Sequence, residues 1–352
     1  MNEWIELLQQ AVAHQASDLF FVAGGPPCEK LEGSIRPLEC PRLLPPDTER
    51  LITALYTAAQ RPMDSYLRTG DDDFSFSVPG LARFRVNAYR QRGSMAAVVR
   101  IVSFDIPDWQ EWGIPAQVMD LADTHSGMIL VTGTAGSGKS TTQACLIDRI
   151  NRTRSCHIVT LEDPIEFLHR HRRSIVSQRE ISIDTGGYLT ALRACLRQAP
   201  DVILLGEMRD AETMHTAMTA AETGHLVIAT LHTKGAVNAI DRIIDAFPST
   251  QQGQIRVQLS AVLRAVISQQ LLPDREGRQI PACEVMQMTG AVRSLIRDNK
   301  NHQIESAIAA GSKDGMRTMD QALAALCREG RITRETALEY ADRPDQVARL
   351  LG

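Results

Sequence analysis

From residue 116 onward, short apolar runs recur with longer amphipathic stretches between them. The runs at 128–131, 157–161, 202–205 and 226–230 are rich in Val, Ile and Leu and show no polar alternation. Such runs read as strands buried on both faces, and their regular exchange with helical segments predicts a doubly wound α/β sheet. A ligand on that architecture belongs at the carboxyl ends of the strands. Residues 1 to about 105 have a different texture. There, 82–90 and 95–101 read as strands of a mixed sheet, joined by a hairpin turn at 90–94. Between the two regions, residues 106–115 carry Pro107, Gly113 and Pro115 and follow neither period, which predicts a linker. The expected units are therefore 1–105 and 116–352. After about residue 235 the pattern turns mostly helical, with a terminal set of helices expected from about 290. Thr318-Met319-Asp320-Gln321 is a capping-box start for a helix through Cys327, and Gly330 is its stop.

Composition narrows the function classes. With 352 residues, 43% of them apolar and 23% charged, the chain has material for more than one core. A formal charge of −4 argues against a protein that embraces nucleic acid across its surface. The seven cysteines form no C-x-x-C pair and no metal-ligand spacing, so reduced cytosolic thiols are expected. No apolar run approaches the roughly 18 residues that a membrane-spanning helix needs. The start, Met1-Asn2-Glu3-Trp4, opens an amphipathic acidic segment unlike a signal peptide. The expectation is a cytoplasmic protein that meets a membrane only through partners.

The apolar run at 128–131 leads into Gly133-Thr134-Ala135-Gly136-Ser137-Gly138-Lys139-Ser140, a complete G-x-x-x-x-G-K-[ST] phosphate loop. A helical stretch beginning at Thr141 follows. In such a loop the backbone N–H groups turn inward around a β-phosphate, Lys139 reaches the β/γ oxygens and the Ser140 hydroxyl ligates Mg²⁺. The helix N-terminus adds favourable charge. ATP and Mg²⁺ are the implied ligands.

Hydrolysis needs more than binding: a group that orients or activates water, and charge to meet the γ-phosphoryl. The run at 201–205 ends in Gly206-Glu207-Met208-Arg209-Asp210, which places Glu207 beside the metal and the attacking water, as metal-shell ligand or general base. Asp201, at the start of that strand, reads as structural. The run at 157–161 ends in Glu162-Asp163-Pro164, so both acids project toward the same edge. The fourth run is bracketed by His225 and His232.

This order of motifs resembles the secretion-type ATPases, most closely the PilT-type retraction ATPases of type IV pili, along nearly the whole chain. Residues 133–140 look like the Walker A segment, 161–167 like the Asp box, 206–210 like the Walker B strand end, and 223–233 like the His box. In the first region, Ala16-Ser17-Asp18-Leu19, Asp73-Phe74-Ser75-Phe76 and Arg83-Phe84-Arg85-Val86-Asn87 look like the family's N-terminal domain. The resemblance implies a PAS-like α+β domain followed by a RecA-like P-loop ATPase domain with a helical C-terminal portion. It implies that Glu207 is the catalytic glutamate, that Glu162 assists, and that His225 and His232 couple phosphate state to subunit contacts. It also implies nucleotide contacts from residues 133–141, and from arginines that close over the nucleotide. Arg85, Arg100, Arg193, Arg197 and Arg209 are the positions that fit.

The implied assembly is a homo-hexamer that works on an inner-membrane platform protein and binds no nucleic acid. Thr134-Ala135 stands where the family usually has Pro-Thr, a change that leaves the backbone nest intact. Ala291 to Asp298 resembles the helical AIRNLIRE signature associated with retraction, with three exchanges. The segments 169–176 and 196–200 look more like the PilU-type accessory ATPases, which opens the alternative of a helper beside a second retraction ATPase. Cys283 stands alone where assembly ATPases usually carry a four-cysteine zinc module, so retraction ranks above assembly. A nucleotide-sensing scaffold without turnover would have lost the acids that this chain keeps.

Overall fold

The computed structural model describes residues 3–31, 33–102 and 106–352. The chain forms two compact units, Met1–Asp105 with Glu166–Leu168, and Ile106–Ile165 with His169–Gly352.

The first unit is built on six strands: β1 (Asp18–Phe21), β2 (Cys28–Leu31), β3 (Ser34–Pro37), β4 (Asp71–Val78), β5 (Ala82–Gln91) and β6 (Ser94–Val102). Their order is β3-β2-β1-β6-β5-β4, and every neighbouring pair is antiparallel, where the sequence suggested a mixed sheet. Arg92 and Gly93 both have positive φ and close the β5–β6 hairpin as a two-residue turn. Strand β5 alternates as its sequence dictates: Phe84, Val86 and Ala88 are fully buried, in a core with Leu8, Ile52 and Leu55 from the helices Glu3–Ala13 and Pro45–Ala58. Arg85 therefore projects from the other face.

The second unit has seven strands: β7 (Gly127–Thr132), β8 (His157–Glu162), β9 (Ile175–Glu180), β10 (Val202–Leu205), β11 (Leu226–Leu231), β12 (Leu263–Pro273) and β13 (Gln279–Gln287). Their order is β13-β12-β7-β11-β10-β8-β9, parallel except for the antiparallel β12–β13 pair. Alternate residues of β7 feed two cores. Met128 and Leu130 pack with Met214, Ile240 and Leu259 on one face; Ile129 and Val131 pack with Cys145, Leu146 and Ile150 of the helix Lys139–Thr153 on the other. That two-sided burial explains the unbroken apolar runs.

Two expectations need correction. The region after 235 is not mostly helical, because β12 and β13 form a long hairpin within it. Strand β13 is buried at seven consecutive positions from Ile280 to Met286, so it offers no period-two signal to read. Strand β9 was also absent from the sequence reading. Residues 106–115, expected as a linker, pack on the second unit. Asp108 caps the short helix Trp109–Trp112 by accepting from Gln110 N at 2.7 Å, and Ile114 is buried beside Val118 and Leu146.

Beyond β13, the helix Met319–Arg328 starts at a capping box in which Thr318 Oγ1 accepts from Gln321 N and Gln321 Oε1 accepts from Thr318 N. The helix Gly290–Arg297 buries Val292 and Ile296, one helical turn apart.

Candidate functional site

Strand β7 ends at Thr132, and the next six residues lead into the helix Lys139–Thr153. Gly133 and Gly138 are demanded by close approach. A Cβ on Gly133, whose φ is +145°, would lie 2.4 Å from the Gln269 carbonyl oxygen, and one on Gly138, at φ +80°, would lie 2.8 Å from Gln269 Nε2. Lys139 is nearly buried, and its Nζ donates to the carbonyls of Gly133 at 2.9 Å and Thr134 at 2.8 Å. The helix has no side-chain cap at Gly138, so its first N–H groups face the loop. Ser137 Oγ is buried without a protein partner. An orphaned hydroxyl beside open helix-terminal donors and an ammonium fits a bound phosphate.

Gln269, on β12, was missed by sequence reasoning. It is fully buried; its Nε2 donates to Ser137 O at 2.7 Å, and its Oε1 accepts from Thr142 Oγ1 at 2.7 Å. It lies 132 residues from Ser137, in a segment read as helical, so no local signal marked it.

The parallel register brings the strand ends to the same edge. Thr132 pairs with Leu231, and Leu205 pairs with Ala229 and Leu161. Glu207, Glu162 and His232 therefore stand at the edge from which the phosphate loop departs. The Glu207 carboxylate is mostly buried; one oxygen accepts from Arg209 Nε at 2.7 Å and the other lies 3.4 Å from His232 Nε2. Donating this hydrogen bond to Glu207 raises the pKa of the Arg209 guanidinium above its ordinary value. Thr230 Oγ1 donates to Gly206 O and Met208 N donates to Thr230 O, which ties the Glu207 segment to β11. Glu162 ends β8 and accepts from Thr160 Oγ1 at 2.6 Å and Gln178 Nε2 at 3.1 Å. Tyr188, also unforeseen, brings its hydroxyl to 2.7 Å from where a Gly206 Cβ would stand. Burial, then the charges of Asp163 and Glu207, push its phenol well above the usual tyrosine range.

Other expected site residues stand elsewhere. His225 precedes β11, and its carbonyl accepts from Gly127 N, so it belongs to the opposite edge of the sheet, about 20 Å of strand from His232. Its Nδ1 bonds the Ala220 carbonyl at 2.9 Å. The bracketing histidines are thus not one cluster: in a strand, residues that flank it sit at its two ends. Asp201 is at that far edge too, accepting from His157 N at 2.8 Å, which is a structural contact. Arg193 pairs with Glu212 at 2.5 Å, and Arg197 donates to Arg193 O at 3.1 Å; both arginine contacts are exposed. In the first unit, Arg85 and Arg100 are direct cross-strand partners on the face away from that unit's core, and Arg100 Nε donates to Asp18 at 2.9 Å.

Among the described residues no three His, Cys, Asp or Glu side chains gather as a metal cage. Magnesium does not need one: it keeps its waters and takes one or two protein oxygens plus phosphate. Ser140, one residue into the helix after Lys139, and Glu207 are two oxygen donors at this edge that fit.

Comparisons with known proteins show the family to which the chain belongs. A family model described as "Type II/IV secretion system protein" matches residues 4–318. The type IV pilus retraction ATPase PilT of Pseudomonas aeruginosa is 44% identical over 341 residues, covering 97% of this chain and 98% of that protein. The type IV pilus ATPase PilU of the same organism is 39% identical over 346 residues, 98% of this chain and 92% of that one. A crystal structure of the pilus retraction motor PilT with bound ADP superposes with a TM-score of 0.89 at 45% identity, covering 98% of both chains.

Proposed function

This chain belongs to the Type II/IV secretion system protein family and is an ATPase of it, and we propose that its work is the retraction of type IV pili, which powers twitching motility. The observation that carries the reading is the 44% identity to a retraction ATPase over 97% of the chain, with the phosphate loop and Glu207 at one sheet edge.

In this reading the N–H groups of residues 136–140 and the Lys139 ammonium hold the phosphates. The Glu207 carboxylate accepts a proton from the attacking water. The water oxygen bonds to the γ-phosphorus as the β–γ bridging bond breaks, and ADP and phosphate leave. Magnesium, held by Ser140 with Glu207 at its water shell, would neutralise charge on the phosphate oxygens. His232 and Arg209 orient the carboxylate, and Glu162 assists from the neighbouring strand. Arg85, Arg100, Arg193 and Arg197 are proposed as further phosphate-facing guanidinium groups in an assembled homo-hexamer, where a planar fork matches an oxygen pair. The ring would act on an inner-membrane platform protein from the cytoplasmic side. No helix among the described residues is long and apolar enough to cross a membrane.

The 39% identity to PilU over 98% of the chain supports a second reading, an accessory motor working beside another retraction ATPase. One experiment separates the two. A bacterium lacking its retraction motor is given this gene alone: restored twitching supports the principal motor. ATP turnover in vitro without restored twitching supports the accessory role. Lys139→Ala is expected to abolish nucleotide binding and both readouts, and turnover that DNA stimulates would oppose either reading.

A further inference from the structure

We propose that Gln269 is a positioning residue of the phosphate loop: by holding the Ser137 carbonyl, its side-chain amide aims the Gly138 N–H at the bound phosphate. This rests on residues 133–140 being the loop that holds ATP.

The side chain is fully buried on β12, where Ser268 pairs with Thr132 at the end of β7. Its amide faces two groups of fixed chemistry. The Ser137 carbonyl only accepts, so Nε2 must point to it, at 2.7 Å. The opposite oxygen then takes the Thr142 hydroxyl hydrogen, also at 2.7 Å. The amide is held from both ends and has one orientation. Because a trans peptide is planar, the C=O of Ser137 and the N–H of Gly138 point in opposite directions. Anchoring the carbonyl on β12 therefore turns the Gly138 N–H away from β12, to the side of the loop that an anion occupies. Thr142 sits in the first turn of the helix whose N-terminus faces the same anion, so one amide sets loop and helix together.

The glycines of the motif record the same contact. The Gln269 carbonyl fills the space that a Cβ on Gly133 would need, and its Nε2 fills the space at Gly138. Gln269 is the nearest neighbour at both glycines, with Ser137 beside it at Gly133 and Leu271 at Gly138. A leucine or methionine would fill the volume equally well and would leave the Ser137 carbonyl buried with no donor.

The test uses the full-length chain. Gln269→Met keeps length and apolar volume and removes both hydrogen bonds. The affinity for ADP is expected to fall about tenfold, the loss that goes with one unmade hydrogen bond to an oriented group. KM for ATP should rise in parallel while kcat stays within about threefold, the pattern of lost uniform binding. Thr142→Val releases the other end of the amide and is expected to weaken ADP binding about threefold. The double variant should bind no worse than Gln269→Met alone, because both changes act through one amide.

Unchanged ADP affinity in Gln269→Met, or losses that multiply in the double variant, would overturn the positioning role and leave the ATPase reading standing. Should Gln269→Met fail to fold, Thr142→Val decides alone, and unaltered binding there overturns the proposal. If the unmodified chain bound no ADP, the ATPase reading itself would fall, and this inference with it.

Discussion

His232 Nε2 lies 3.4 Å from Glu207 Oε1, and the other oxygen of that carboxylate accepts a 2.7 Å hydrogen bond from Arg209. A carboxylate hydrogen-bonded on one oxygen and flanked by an imidazole at the other has a restricted direction, and a general base works only when its lone pair faces the water it must deprotonate. Glu207→Gln keeps the shape and removes the base. Turnover is expected to fall at least about a hundredfold with ATP affinity retained. Phosphate release measured beside a nucleotide titration checks both halves, and unchanged turnover would remove Glu207 from the mechanism.

The two neighbours should differ in weight. Arg209 is 66% exposed and His232 49%, so water screens both contacts with Glu207 and screens that of Arg209 more. His232→Ala is expected to lower kcat about tenfold with little change in KM, since its contact is to Glu207 and not to the loop. Arg209→Gln should cost less than that. A steady-state comparison of the two variants tells them apart: a KM effect from His232→Ala would mean that the imidazole binds substrate directly.

Gly133 and Gly136 offer a control within one loop. A methyl on Gly133 would meet the Gln269 carbonyl at 2.4 Å, a backbone atom that cannot rotate away, while nothing lies within 4 Å of the same position on Gly136. Both have positive φ, so Ala strains both, by about 1 to 2 kcal/mol for a left-handed backbone. Only Gly133→Ala adds a collision. Thermal unfolding should show a clearly larger loss for Gly133→Ala than for Gly136→Ala, and ADP binding should vanish only in the first.

How much of this was legible in the sequence depended on range. The loop glycines, the strand runs ending at Glu162 and Glu207 and the Thr318 capping box are local patterns, and local backbone physics fixes them. Gln269 acts across 132 residues, and β12 hides it: in Leu263–Pro273 the polar pair Gln269-Gln270 interrupts an apolar stretch and mimics helical amphipathicity. Strand β13 is buried on both faces, so alternation had nothing to report. The two histidines bracket β11 in the sequence, and the register of β11 on β7 shows that His232, not His225, shares the edge from which the phosphate loop departs. Tyr188 reaches Gly206 from the start of the helix Tyr188–Cys195, a contact that no local pattern marks.

Away from the nucleotide edge, Glu284 on β13 is an acid buried to 6% exposure, accepting from Ala236 N at 2.7 Å and Met319 N at 3.4 Å. Burial pushes its carboxyl above the usual glutamate range, the two N–H groups pull it back, and the charges of Asp342 and Asp320 add to the rise. A folded-state value above the unfolded one means that the folded chain holds the proton more tightly. The stability from that proton is complete below the unfolded value of about 4.3 and is lost as pH climbs through the folded value. At neutral pH the ionised side chain therefore costs stability that a neutral amide would not. Glu284→Gln removes the charge and keeps an acceptor for the 2.7 Å hydrogen bond from Ala236 N, giving up only the longer contact from Met319 N. Its melting temperature should exceed that of the unmodified chain at pH 7.5, and the gap should close as pH falls toward 4. A melting series across that range checks the sign: a gap that stays constant with pH would show that Glu284 is not the titrating group, and a gap of opposite sign at pH 7.5 would show that its two charge-assisted hydrogen bonds outweigh its burial.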